Sequence, residues 1–206
     1  MLILGLTGSI GMGKSTVAAH FKSRGIAVFD ADSEVHRLYE NEAIPLIEDA
    51  FPGTTTEAGV DRVQLAQALQ GDAQNFAKLE AIVHPLVFRA QGQFLEREEK
   101  RGAKLVVLEI PLLFETGGEE KVDRVVVVSA GEIEQRARVL ARPNMSEEKF
   151  EHILNLQMPD AEKRKRADYV VDTSGSFDHT TREIDIIIAR LGDEKGGVFE
   201  RWWKQQ

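Results

Sequence analysis

The sequence predicts an α/β protein, a parallel sheet flanked by helices, and three observations carry that prediction. Short runs rich in valine, isoleucine and leucine alternate with stretches of helical patterning. Those runs are apolar almost throughout, as strands covered on both faces must be, and do not alternate with polar residues. The first run also passes through a glycine-rich segment directly into a helical stretch.

Taken in order, Leu2–Leu6 is the first strand. The residues around it lack a basic leader and run at once into glycine and lysine, so the segment reads as a strand and not as a signal peptide. A helix from about Lys14 to Arg24 stops before Gly25, a usual helix terminator. Ala27–Asp30 is the second strand. Between about Ser33 and Gly102 strand signals give way to helical ones, with Val63, Leu65, Ala66 and Leu69 on one helix and Phe76, Leu79, Ile82 and Val83 on the next. A loop is expected at Phe51-Pro52-Gly53-Thr54. Leu105–Ile110, Val122–Val128 and Tyr169–Val171 return as strands. The helical stretch Glu132–Lys165 is interrupted at Pro143 and Pro159, which divides it into two or three helices. The end of the chain, with Gly196-Gly197, reads as a loosely held tail.

At 206 residues the chain suits one domain, and 42% hydrophobic with 29% charged residues is ordinary globular usage. Acidic side chains outnumber basic ones 34 to 26, a net charge of −8, which argues against a protein that coats nucleic acid. There is no cysteine, so disulfides, a thiol nucleophile and thiolate metal sites are excluded. No apolar run approaches the roughly 20 residues that span a bilayer. A cytoplasmic protein with no membrane partner is expected, and nothing in the sequence speaks to its oligomeric state.

Gly8-Ser-Ile-Gly-Met-Gly-Lys14-Ser15 fits G-x-x-x-x-G-K-[ST] without a mismatch. Glycines at this spacing let successive N–H groups turn inward toward phosphate oxygens, and the following helix presents its positive end. Lys14 then reaches the β- and γ-phosphates, while the Ser15 hydroxyl ligates magnesium. The motif lies between a strand and a helix, the context it requires, so a P-loop NTPase-type core that binds ATP or GTP with Mg2+ follows.

Asp30-Ala-Asp32 ends the second strand, at the sheet edge where ligands of open α/β folds gather. One of its carboxylates can orient or deprotonate an attacking hydroxyl; alternatively Asp32 caps a helix that starts near Ser33. Glu109 ends a buried strand, where it either contacts magnesium through water, serves the acceptor, or faces solvent. Arg136, Arg138 and Arg142 follow the Val125–Val128 strand and are candidates for a mobile lid that spreads positive charge over a transferring phosphoryl group; each could equally lie on a solvated face.

Together the stretch Leu6–Thr16, Asp30-Ala-Asp32, His84-Pro-Leu86, Ile110-Pro-Leu-Leu-Phe-Glu115, Gln135-Arg136 with Arg142, Gln157-Met-Pro159 and Ala167–Asp172 resemble dephospho-CoA kinase, in that family's order and up to about Gly175. The resemblance implies ATP-dependent phosphorylation of the 3′-hydroxyl of dephospho-CoA. It implies a core of about 1–32, 103–131 and 167–192, a helical CoA-binding insertion at about 33–102 and a lid at about 132–166. It carries the catalytic carboxylate to Asp32, the ATP-phosphate loop to Gly8, Gly11, Met12, Gly13, Lys14, Ser15 and Thr16, the lid arginines to Arg136 and Arg142, and acceptor binding to His84, by itself as often a helix-packing residue. Thr173 departs from the pattern, because many members carry asparagine there, near the adenine.

Two rivals remain at this level. Another small-acceptor kinase, such as a nucleoside monophosphate kinase, would share the loop and lid. A GTPase switch is disfavoured because no Asn/Thr-Lys-x-Asp guanine reader is present. Lys163-Arg-Lys-Arg166 reads as a solvated helix face or a phosphate-steering cluster at the lid, and not as a nucleic-acid patch. Trp202-Trp203 offers too little apolar area for a membrane anchor, so it either packs on the core or is disordered.

Overall fold

A computed structural model describes residues 1–205. They form two compact units: Met1–Phe29 together with the chain from Leu95 on, and Asp30–Phe94. The first unit is built on β1 (Leu2–Thr7), whose six residues are all buried. β5 (Leu105–Glu109) and β6 (Arg124–Ser129) flank it in parallel, with Leu6 opposite both Glu109 and Val126. β2 (Ala27–Asp30) lies outside β5, and β7 (Tyr169–Asp172) runs parallel outside β6, giving the order β2-β5-β1-β6-β7. Strand order therefore reverses at β1, and the crevice beyond its carboxyl end is the binding position of a doubly wound sheet.

One face of this sheet is covered by α1 (Lys14–Ser23) and α9 (Phe177–Leu191), whose Val17, Ala18 and Phe21 and whose Ile184, Ile187 and Leu191 pack on Leu2, Leu4, Leu6, Val126 and Val128. The spacing of three and four residues is that of one helix face. The expected helical stretch after β6 proves to be three helices, α6 (Glu132–Leu140), α7 (Glu147–Asn155) and α8 (Asp160–Arg166), separated at the two prolines.

The second unit holds α2 (Ala31–Tyr39), α3 (Ile44–Ala50), α4 (Arg62–Leu69) and most of α5 (Ala73–Lys100). Leu38, Ala43, Ile47, Phe51, Leu65 and Leu69 form its core, with Leu79, Ile82 and Leu86 packed against them. Two expectations change. The loop at Phe51–Thr54 forms as expected, but the insertion is not without strands, because β3 (Thr55–Thr56) and β4 (Gly59–Val60) make an antiparallel hairpin after it, too short to show a period in sequence. Val63 and Phe76 are exposed: α4 turns its Leu65/Leu69 face inward, and Phe76 sits in the first turn of α5, one turn before its packed stripe.

The tail is not loosely held. Asp123 collects three backbone N–H groups, from Ile3 at 2.8 Å, Gly197 at 2.7 Å and Val198 at 3.0 Å. That carboxylate ties the start of β1 to α10 (Val198–Arg201). Val198, Phe199 and Trp203 are buried, and the Trp203 indole donates to the Lys121 carbonyl at 3.0 Å. The sequence carried glycines and charges here, and the partner that orders them is a carboxylate about 75 residues away in the chain. Replacing Asp123 with alanine leaves three part-buried donors without their acceptor; urea denaturation should show a loss of about 2–4 kcal/mol. A stability equal to that of the native chain would mean the tail is held otherwise.

Candidate active site

The phosphate loop leaves the end of β1 in a conformation that few side chains permit. Gly8 has φ +154 and Gly11 φ +77; a Cβ on Gly8 would collide with the Val128 carbonyl, and one on Gly11 would lie 2.5 Å from Val139 Cγ2. α1 then starts at Lys14, with no acidic residue in its first turn to offset its positive end. Lys14 folds back across the loop and its Nζ donates to the Gly8 carbonyl at 2.6 Å. Ser15 and Thr16 are exposed on the first turn.

Side chains from elsewhere hold the loop's own polar groups. The Ile10 N–H donates to Gln157 Oε1 at 3.0 Å, and Gln135 Nε2 donates to the Ile10 carbonyl at 2.8 Å, so two glutamines take both faces of one residue. The Met12 carbonyl accepts from Thr173 Oγ1 at 2.7 Å, and the Ala130 N–H points at Met12 Sδ. Arg138 in turn donates to Thr173 Oγ1 at 2.9 Å and to the Thr173 carbonyl at 2.6 Å. Thr173 is thus buried as a prop for Met12, and its hydroxyl is already engaged on both sides. Arg138 is likewise committed to Thr173 and is not a free lid cation.

The corner between α7 and α8 is fastened separately. Glu115 Oε1 accepts the Met158 N–H at 2.8 Å and faces Lys163 Nζ at 2.8 Å. Burial would push the Glu115 carboxyl up, but the Lys163 ammonium and the Met158 N–H outweigh it and hold the group below its usual range. Ser129 at the end of β6 donates to Asp160 Oδ2 at 2.7 Å. The expected solvated or steering cluster Lys163–Arg166 is corrected at Lys163, which is completely buried; Arg164 and Lys165 are exposed, and Arg166, also exposed, pairs with Glu119 and lies over the Phe114 ring. A four-residue run of one charge hides the fact that a helix turns its members in different directions.

Among the remaining candidates, Glu109 is buried beside Leu6 at the end of β5 and does not face solvent. Arg136 is exposed and paired with Glu147 of α7 at 2.5 Å; Arg142 is exposed just beyond the end of α6. In the other unit, the cap of α2 is Asp30 and not Asp32, since Asp30 Oδ1 accepts the Ser33 N–H at 2.9 Å and its Oδ2 accepts from Ser33 Oγ at 2.7 Å. The helix begins two residues earlier than expected, so Asp32 lies exposed in its first turn. His84, on α5 beside Pro85, is exposed and is no packing residue. Sequence reasoning gave no role to Gln135, Gln157 or Glu115 beyond membership in recognisable segments, and read Lys163 as one of a charged run, because a glutamine or a buried lysine carries no spacing signal of its own.

Known proteins place this geometry. A sequence model of the dephospho-CoA kinase family matches residues 2–179. A dephospho-CoA kinase of Rhodopseudomonas palustris (strain ATCC BAA-98 / CGA009) is 55% identical over 188 residues, covering 91% of this chain and 94% of that protein. One from Brucella melitensis is 54% identical over 191 residues, covering 93% and 96%. Among solved structures, a Thermus thermophilus protein superimposes with a TM-score of 0.81 at 40% identity over 92% of this chain and 97% of its own. The shikimate kinase of Acinetobacter baumannii shares the fold at a TM-score of 0.55 and 18% identity, over 94% of this chain and 95% of its own. The glycine loop, the propped Met12 and the Pro-Leu-Leu-Phe-Glu and Gln-Met-Pro segments therefore sit in a chain that belongs to the dephospho-CoA kinase family.

Proposed function

We propose that the chain transfers the γ-phosphoryl group of ATP to the 3′-hydroxyl of dephospho-CoA, giving CoA and ADP. The observation that carries the reading is an intact phosphate loop, held in shape by its own propping side chains, in a member of this family. In the reaction the acceptor oxygen forms a bond to the γ-phosphorus as the bond to the β-phosphate oxygen breaks, and the hydroxyl proton leaves. Positioning and charge compensation supply most of the acceleration in such a transfer.

Each residue has a part in this proposal. The loop amides from Gly8 to Thr16 and the end of α1 hold the ATP phosphates. Lys14 exchanges the Gly8 carbonyl for phosphate oxygens, at little cost since its ammonium already lies over the loop. Asp32 orients the acceptor hydroxyl and takes its proton. Arg142 and Arg136 offset charge on the equatorial oxygens; Arg136 must first leave Glu147, and an exposed pair of this kind is worth only about 0–1 kcal/mol. His84 contacts the acceptor.

Among the described residues no group of three histidine, cysteine or carboxylate side chains could hold a metal ion. A single exposed hydroxyl, Ser15, with phosphate oxygens and water is the donor set that Mg2+ accepts. When bound there it would draw charge from the β- and γ-phosphates. Among the described residues no helix is long and apolar enough to cross a membrane. We take the enzyme to work in the cytoplasm on small molecules, without nucleic acid or membrane partners.

Purified protein with Mg-ATP and dephospho-CoA should form CoA and ADP in equal amounts, and a metal chelator should stop it; ADP at background level would defeat the assignment. Asp32→Asn should lower kcat by about 10²-fold or more, in the range of a lost general base, while ATP still binds. Unchanged turnover would remove Asp32 from the chemistry. Thr173→Val should raise the KM for ATP several-fold and lower stability by about 1–2 kcal/mol, because it removes the donor to the Met12 carbonyl and one of the two acceptors of Arg138. Steady-state kinetics and thermal unfolding of the same preparation check both halves of that expectation.

A further inference from the structure

A completely buried ammonium is a costly way to join two segments. Removing two charges from water is offset by their attraction only when their other polar atoms are satisfied too, and apolar residues of similar volume often hold a core as well or better. Here satisfaction is incomplete: Glu115 Oε2 is buried without a hydrogen-bond partner in the protein, Lys163 Nζ has its ion pair with Glu115 but no well-directed hydrogen bond, and Glu119 Oε2 and Asp160 Oδ1 are also buried without a partner. What the arrangement supplies is direction. Glu115 Oε1, drawn to Lys163, accepts the Met158 N–H and so fixes the backbone at that residue. The residue before it is Gln157, whose side chain takes the Ile10 N–H inside the phosphate loop. Pro159 follows, with its φ restricted by the ring, and Asp160 is anchored to Ser129. Residues 157–163 thus form one rigid corner, tied at Glu115 and at the end of β6, with a single side chain extended to the loop.

We infer that the buried Lys163–Glu115 pair is a positioning device for nucleotide binding, acting through Met158 and Gln157 on Ile10 of the phosphate loop. Neither residue touches the nucleotide. With Gln135 on its carbonyl and Gln157 on its N–H, Ile10 is held in one orientation, and Gly11 next to it with Gly8 two residues before would otherwise leave it many. The pair sets where Gln157 stands and so how well the loop is formed before ATP arrives. This rests on the loop's reading as the ATP site, and it concerns affinity for nucleotide whatever the acceptor.

The decisive experiment compares four whole chains: wild type, Gln157→Ala, the pair variant Lys163→Met with Glu115→Gln, and all three substitutions together. The pair variant keeps side-chain length and an acceptor for Met158 and leaves no lone charge. Affinity for ADP is measured by titration calorimetry, the KM for ATP and for dephospho-CoA by kinetics, and melting by calorimetry. Gln157→Ala and the pair variant should each weaken ADP by about tenfold, as expected for one lost hydrogen bond of roughly typical size. The KM for ATP should rise with them while the KM for dephospho-CoA stays put. The triple variant should lose no more than either, since both act along one path. A pair variant that melts earlier yet binds ADP as the wild type does would reduce the pair to a structural role. Additive losses in the triple variant would overturn the route through Gln157. Should the pair variant not fold, Glu115→Gln alone, read against Gln157→Ala in the same affinity cycle, decides the question. A wild type that binds ADP but forms no CoA would defeat the proposed activity and still leave the affinities to judge this one.

Discussion

Everything in the first unit follows from the need to hold one backbone turn open. A loop that aims N–H groups at phosphates must turn its carbonyls elsewhere, and a buried carbonyl without a partner is costly. The hydrogen bond from Thr173 to the Met12 carbonyl answers that need, as does the one from Gln135 to the Ile10 carbonyl. Thr173 lies just beyond β7, and Gln135 is the buried polar residue of α6. The sheet order brings them there: β6 is the direct neighbour of β1 and β7 is next, so the segments leaving both strands arrive beside the loop that leaves β1.

The acidic balance of the chain takes on a narrower meaning once its cations are sorted by use. Lys163, Arg166 and Arg138 are all spent within the protein, on Glu115, on Glu119 and Phe114, and on Thr173. On the proposed reading the charge that meets a polyanionic ligand is local: Lys14 over its loop, the positive end of α1, and Arg136 and Arg142 at exposed positions on and just after α6. A net charge of −8 is compatible with phosphate binding because field strength depends on a few charges close by and falls off within about 10 Å in salt.

The strands were legible because a parallel sheet buried on both faces demands apolar runs, and β1, β5 and β6 consist of almost nothing else. The phosphate loop was legible because glycine, lysine and serine at fixed spacing have a single physical purpose. What sequence could not show was pairing over long distances in the chain. Asp123 with Gly197, Glu115 with Lys163 and Thr173 with Met12 are each formed by residues whose types permit many partners. The start of α2 was misplaced for a related reason, since Asp30 and Asp32 are equally good caps and only the backbone geometry selects the first.

Two of the segments that carry the resemblance to the family, Pro-Leu-Leu-Phe-Glu and Gln-Met-Pro, turn out to be halves of one object. Glu115 closes the first and Met158 lies in the second, and their hydrogen bond joins them across 43 residues. Glycines and lysine at a phosphate loop are demanded by the ligand, so they recur wherever phosphate is bound in this way. A loop can be propped from behind in many ways, and each way requires its own matched residues. Segments that do the propping are therefore expected to discriminate between families that share a loop, and here two of the stretches that carry the resemblance meet where Gln157 reaches Ile10 of the loop.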